Sequence, residues 1–199
     1  MFNRRLKNWF YKLLKYSPEQ FTKNQWNLQY SSTRWDYLRN IEESARNSII
    51  GGYIRYKSSD CTILDVCCGE GVLQNNLGKH SYKYYVGVDI SSVAIAKAEI
   101  RINENTTFIC SDAETFIPSQ KFSVIVFNEC LYHFESPLKL LAHYESFLLD
   151  NGIFIVSMYA NTQSNRIWRM LDAKYEVEDS TKVTNSAGIS WIVKQLKPC

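Results

Sequence analysis

Hydrophobic and polar positions follow two textures along the chain. Over residues 1–16, Phe2, Leu6, Trp9, Phe10, Leu13 and Leu14 recur at helical spacing with cations on the remaining arc, which predicts an amphipathic helix. Residues 19–57 continue in helical style, carry Trp26, Tyr30, Trp35, Tyr37 and Tyr53, and are interrupted by Gly51-Gly52. From residue 61 onward, short β-rich runs alternate with helical stretches. Apolar runs predict strands at Thr62–Val66, Tyr84–Val88, Thr106–Cys110, Phe122–Phe127 and Ile153–Met158. Helices are predicted near 72–80, from a Ser91 cap to about Arg101, from Ser136-Pro137 to Leu149, and over Ser164–Lys174. Two last strands, 175–184 and 189–197, flank a turn at Asn185–Gly188.

Strands alternating with helices imply right-handed crossovers and a mostly parallel sheet covered on both faces. The last two strands lie too close in sequence for a crossover helix and must pair antiparallel. The expected fold is therefore α/β: five parallel strands plus a terminal hairpin, preceded by a helical segment over residues 1–57.

Composition narrows the class. With 45% hydrophobic and 14% aromatic residues among 199, the chain has enough apolar surface for a core. No apolar run approaches the ~18 residues of a membrane span and no signal-peptide pattern opens the chain, so a cytoplasmic protein is expected. The net charge of +3 is too mild for a dedicated nucleic-acid binder. It is also uneven, because Arg4, Arg5, Lys7, Lys12 and Lys15 put +5 into the first sixteen residues and leave −2 for the rest. Six cysteines contain no Cys-x-x-Cys pair, and Cys67 and Cys68 are adjacent; this suits reduced, packed thiols better than zinc or disulfides, and no metal is expected.

Ligands of a doubly wound sheet bind outside the carboxyl ends of its strands. The first strand here delivers Asp65-Val66-Cys67-Cys68-Gly69-Glu70-Gly71, the second Asp89, the third Ser111-Asp112-Ala113 and the fourth Asn128-Glu129. Gly69 and Gly71 allow a tight turn and close approach of backbone to a ligand. Asp89 is placed to accept from both hydroxyls of a ribose, and Asp112 from an exocyclic purine amine. A dinucleotide is disfavoured: the fingerprint G-x-G-x-x-G fails at Gln74, and Glu70 between the glycines opposes a pyrophosphate.

The run ILDVCCGEGVL at Ile63–Leu73, followed by VGVDIS, ICSDAE and FSVIVFNECLYHF, resembles the four ordered motifs of class I S-adenosylmethionine-dependent methyltransferases of the small-molecule type (type 11/12) over roughly residues 61–160. The resemblance implies a Rossmann-like fold with a seven-stranded, mostly parallel sheet and an antiparallel terminal hairpin. It implies S-adenosyl-L-methionine as methyl donor and S-adenosyl-L-homocysteine as product. It also implies roles for single residues: Asp65 at the methionine amino end, Gly69 and Gly71 along the close approach, Asp89 on the ribose with Ile90 beside the adenine, Asp112 and Ala113 on the adenine edge, and the Asn128 carbonyl at the methionine amino group. Cys67 stands where the family usually has glycine, which brings a side chain near the methionine moiety.

The sequence after the fourth strand bears on the acceptor. Neither the N/D-P-P-Y/F tetrapeptide nor the Pro-Cys dipeptide of nucleic-acid methylating enzymes is present; Glu129-Cys130-Leu131-Tyr132-His133 resembles small-molecule N- and O-methyltransferases instead. His133, with an unperturbed pKa of ~6.5, is the candidate general base, and a structural histidine at a helix entry is the competing reading. Glu129 and Tyr132 are candidates for orienting the acceptor. Segment 26–56 is expected to cover the cofactor, with Arg34 and Arg46 as candidates for the methionine carboxylate. The basic helix over 1–16 fits docking on residues 58–199, contact with an anionic substrate, or peripheral contact with anionic lipid. The reading is methyl transfer to O or N of a sugar, nucleotide-sugar or natural-product intermediate. A non-catalytic S-adenosylmethionine-binding regulatory subunit and a membrane-associated enzyme acting on a lipid-linked acceptor are the alternatives.

Overall fold

The computed structural model describes residues 21–58, 60–78, 81–100 and 102–199; the amphipathic helix expected over 1–16 lies outside them. Among the described residues the elements run α1 (Lys23–Ser31), a 3-10 helix (Thr33–Arg39), α2 (Ile41–Lys57), β1 (Thr62–Val66), α3 (Val72–Leu77), β2 (Tyr84–Asp89), α4 (Ser92–Glu99), β3 (Thr106–Cys110), β4 (Phe122–Asn128), a 3-10 turn (Leu131–His133), α5 (Pro137–Glu145), β5 (Leu148–Tyr159), α6 (Thr162–Asp172), β6 (Tyr175–Thr184) and β7 (Ser190–Pro198).

The strands form one sheet in the order β3-β2-β1-β4-β5-β7-β6. Neighbours from β3 to β5 pair parallel, whereas β7 pairs antiparallel with both β5 and β6. This is the Rossmann-like α/β sheet with a terminal hairpin. Its inner strands are buried on both faces, which is why they read as continuous apolar runs. Along β4, Ile125 and Phe127 face a core with Leu140, Leu141, Tyr144, Trp168 and Leu171 of α5 and α6. Val124 and Val126 face the opposite core, with Ile50 and Ile54 of α2, Leu73 and Leu77 of α3, and Ile95 of α4.

Local chemistry sets most boundaries. Thr22 and Gln25 form a reciprocal capping box on α1, Ser91 Oγ accepts from Ala94 N on α4, and Asn161 Oδ1 accepts from Ser164 N on α6. The Asn161 cap starts α6 at Thr162, two residues before its expected start. Ser136 stands before α5 without a side-chain cap bond, and Pro137 supplies the start.

Two expectations are corrected. Gly51-Gly52 does not interrupt the helix: α2 runs through it, because Gly51 lies against α3 where an added Cβ would come within 3.2 Å of Leu77. The glycine serves a close helix contact there, not a break. The helix expected to reach Leu149 ends at Glu145, because Leu148 leaves it to pair with Phe122 and opens β5 five residues early. Asn151, at φ 62, turns the chain between this first pairing and the long β5 run.

Candidate active site

The sheet order reverses between β1 and β4, and the carboxyl ends of β2, β1, β4 and β5 open together on one side. The turn after β1 is built from left-handed backbone: Cys67, Gly69 and Gly71 have φ of 63, 54 and 69°. Asp89 at the tip of β2 braces this turn, accepting from Gly69 N at 2.9 Å through Oδ2 and from Ser91 N at 2.8 Å through Oδ1. Between the strand ends and the N-terminal helices lies a cavity of about 520 Å³.

One end of the cavity is acidic. Asp65 is buried on β1; the Tyr85 phenol donates to its Oδ2, while Oδ1 is buried with no hydrogen-bond partner among the described residues. Burial pushes the Asp65 carboxyl up to about 7, with the Tyr85 bond opposing and Asp89 adding. Burial likewise raises Asp89 to about 6, against the two backbone donors. Asp112 and Ala113 line the same end, together with Ile90. Asp112 Oδ1 accepts from Glu114 N at 2.9 Å, and Ala113 O accepts from Tyr144 Oη at 2.8 Å.

The other end is a buried polar network. Arg46 of α2 donates through Nη2 to Glu43 Oε2 at 3.1 Å and through Nη1 to Asn128 Oδ1 at 3.0 Å; Nη1 also lies 3.6 Å from Glu129 Oε1. Asn128 Nδ2 donates to Asn47 Oδ1 at 3.3 Å. Glu129 has φ 61, and its Oε2 accepts from Tyr132 Oη at 3.1 Å and from Tyr159 N at 3.2 Å. Burial raises Glu129 to about 7, with Arg46 opposing. The His133 ring meets Tyr132 and Trp26 edge-on at centroid distances of 4.7 and 5.1 Å, and burial lowers its pKa to about 4. The imidazole is therefore neutral near pH 7.

The N-terminal helices stand over both ends. Trp26, Tyr30 and Trp35 pack on one another with centroids about 6 Å apart. Glu70, buried in the turn after β1, is held by Arg39 and by Lys97 Nζ at 2.6 Å, and Lys97 also donates to Tyr30 O at 2.6 Å. Trp26, Tyr30 and Trp35 thus line the cavity together with Glu43, Arg46 and Asn47 of α2, which also contributes Ile50 and Ile54 to the core.

The structure brings Asp65, Cys67, Gly69, Asp89, Ile90, Asp112, Ala113, Asn128, Glu129, Tyr132 and His133 onto this one cavity. Gly71 is not on its wall: a Cβ there would meet Phe108 at 2.8 Å and Ala98 at 3.3 Å, so this glycine serves packing against β3 and α4. Of the two arginines, Arg46 lines the cavity and Arg34 does not. Cys67 lies beside Cys130, whose thiol is the first cause of its raised pKa, and all six cysteines are free. Sequence reasoning gave no role to Glu43 and Asn47, which line the cavity together with Glu70 and Tyr30. A charged residue three positions before Arg46 was the one available signal for Glu43.

A family model described as a methyltransferase domain matches residues 5–195. A malonyl-[acyl-carrier protein] O-methyltransferase of Haemophilus influenzae is 30% identical over 99 residues, which is 49% of this chain and 38% of that protein. A ubiquinone biosynthesis O-methyltransferase of Coxiella burnetii is 26% identical over 117 residues, 57% of this chain and 50% of that protein. The chain thus spans half or less of the length of these curated relatives. Among solved structures, the N-methyltransferase NodS of Bradyrhizobium japonicum, in complex with S-adenosyl-L-homocysteine, superposes with a TM-score of 0.76 at 16% identity, covering 88% of this chain and 97% of that one. By the match of its near-entire length to the family model, this chain belongs to the methyltransferase-domain family.

Proposed function

We propose that the protein binds S-adenosylmethionine and transfers its methyl group to O or N of a small molecule. The observation that carries the reading is Oδ1 of Asp65: a buried carboxylate oxygen, in a residue that lines the cavity, with no partner among the described residues. Such an atom is costly unless a donor meets it, and the α-ammonium of the cofactor is a donor of the right charge. Asp89 braces the turn with one hydrogen bond to each oxygen and keeps lone pairs for ribose hydroxyls. Asp112 and Ala113 line the same cavity and are assigned to the adenine edge in this reading. When bound, the cofactor supplies a methyl group already activated by a sulfonium. The chain's own residues then have to align the acceptor and exclude water, and the aromatic cover of Trp26, Tyr30 and Trp35 fits that task.

His133 stays a candidate base, since its neutral imidazole can accept a proton, and Tyr132 acts by holding Glu129. Among the described residues no helix is long and apolar enough to cross a membrane, and no group of three or more potential metal ligands occurs. The test is calorimetry of the purified chain with S-adenosylhomocysteine and, separately, with NAD. Saturable binding of the first alone is expected; binding of NAD in preference overturns the reading. A metabolite pool incubated with methyl-labelled cofactor then separates an enzyme, which yields a labelled product, from a binding subunit, which yields none.

A further inference from the structure

Arg46 and Asn47, neighbours on α2, hold one side chain between them. Arg46 Nη1 donates to Asn128 Oδ1 at 3.0 Å, and Asn128 Nδ2 donates to Asn47 Oδ1 at 3.3 Å. Each of the two keeps a further donor unmet: Arg46 Nε and Asn47 Nδ2 are buried and have no hydrogen-bond partner among the described residues. Both residues line the cavity, and they are 3% and 2% exposed. Burying an N–H without an acceptor is costly. Two such atoms in adjacent residues lining a cavity mark the place of an acceptor that a ligand brings.

An unmet acceptor lies close by. Asp65 pairs in register with Val126 of β4, and Asn128 follows Val126 by two residues. Asp65 and Asn128 therefore present their side chains to the same face of the sheet, the one α2 covers. Their Cα atoms are one strand spacing and two residues apart, about 8 Å by strand geometry. Asp65 Oδ1 and the two donors beside Asn128 are thus orphans of opposite sense on one face. A ligand that meets both needs a cationic donor and an anionic acceptor within a few bonds of each other, which describes the zwitterion of an α-amino acid. A lone anion fits poorly, because the Arg46 guanidinium already faces Glu43 at 3.1 Å and Glu129 at 3.6 Å. A zwitterion adds no net charge to that set.

We infer that Asn47 and Arg46 form the carboxylate-binding half of an amino-acid subsite whose ammonium half is Asp65, and that the methionine end of the cofactor fills it. This rests on the cofactor reading above and extends it from the ammonium to the carboxylate. Asn47 is the new member: its Nδ2 and the Nε of Arg46 donate to the carboxylate oxygens, the Arg46 bond being charge-assisted. Asn128 is a positioning residue here, since its amide sets where both head groups stand.

The test titrates four ligands by calorimetry into the full chain: S-adenosylhomocysteine, its decarboxylated analogue, its deaminated analogue, and methylthioadenosine, which lacks the amino-acid end. Binding of S-adenosylhomocysteine to the wild-type chain tests the cofactor reading by itself, so its failure is distinct from failure here. Removing the carboxylate is expected to weaken binding by about tenfold to a hundredfold, the worth of hydrogen bonds to a charged group. The deaminated analogue, a lone anion at this subsite, should bind more weakly than the decarboxylated one. Asn47→Ala should weaken S-adenosylhomocysteine by about tenfold and leave the decarboxylated analogue within about twofold, because that ligand does not use the donor removed. Methylthioadenosine should bind Asn47→Ala as it binds wild type, which also reports that the variant is folded. Equal wild-type affinity for S-adenosylhomocysteine and its decarboxylated analogue, or equal weakening of both in Asn47→Ala, overturns the inference.

Discussion

Tyr85 on β2 donates its phenol to Oδ2 of Asp65 on β1, and this bond leaves Oδ1 as the buried acceptor without a partner among the described residues. The neighbouring strand thereby fixes which oxygen is left to accept a further donor. Asp65→Asn places an amide where an ammonium is expected and should weaken S-adenosylhomocysteine binding by about tenfold to a hundredfold, the worth of one hydrogen bond to a charged group. Tyr85→Phe removes only the orienting bond and should cost less. Calorimetry on the two variants checks the order, and Asp65→Asn binding like wild type would remove the proposed ammonium contact.

The same carboxyl sets a pH signature on stability. Its pKa is raised in the folded state to about 7, so its contribution is full below the ordinary carboxylate range and is lost as pH rises toward 7. Glu129 and Asp89, raised to about 7 and about 6, act in the same direction. His133 acts oppositely: its lowered pKa gives stability that is present above ~6.5 and lost as pH falls through about 4. Melting curves of the ligand-free chain between pH 4 and 8 should therefore fall less steeply with rising pH in Asp65→Asn than in wild type. Parallel curves would refute the assignment.

The two glycines of the β1 turn should separate into a ligand position and a packing position. Gly71→Ala forces a Cβ to within 2.8 Å of Phe108 at φ 69, combining left-handed strain with overpacking, and should destabilise by roughly 2–4 kcal/mol. In Gly69→Ala the new Cβ meets the Tyr30 hydroxyl at 2.8 Å, the far end of a side chain in the covering helices. Its larger effect should appear in S-adenosylhomocysteine affinity. Thermal melts beside titrations distinguish the two outcomes.

Lys97 ties the cover to the sheet by reaching both Glu70 and the Tyr30 carbonyl. Lys97→Ala should raise the rate of limited proteolysis within residues 21–39 and speed release of S-adenosylhomocysteine, with a smaller change in melting temperature. An unaltered cleavage rate would show that the clasp does not hold these helices.

His133 packs edge-on to Trp26 and is held neutral by burial. His133→Ala should leave the pH dependence of turnover between 5 and 8 unshifted while lowering the rate, because the group does not titrate in that window. A rate reduced by ~10²–10⁴ would mark it as the base, and a small reduction as a packing residue.

The inner strands were legible because those buried on both faces are largely apolar, and Thr62–Val66 begins and ends where its run does. The early opening of β5 was not, since Leu148-Leu149 continues a helical pattern and pairs with Phe122 only across the fold. Gly51-Gly52 misled for a related reason: glycine marks a break or a close contact alike, and only the proximity of Leu77 chooses between them.

The sequence by itself determined the alternating α/β order, the turn after β1 and the acidic residues at the strand tips, because these depend on periodicity and backbone freedom over a few neighbours. Tertiary structure alone decided that Arg46, Glu43, Asn128 and Glu129 meet, that Tyr85 claims one oxygen of Asp65, and that Gly71 packs against Phe108 and does not line the cavity. Arg46 and Asn128 are 82 residues apart, and such pairs carry no local pattern; their energies arise when burial strips water from both partners at once.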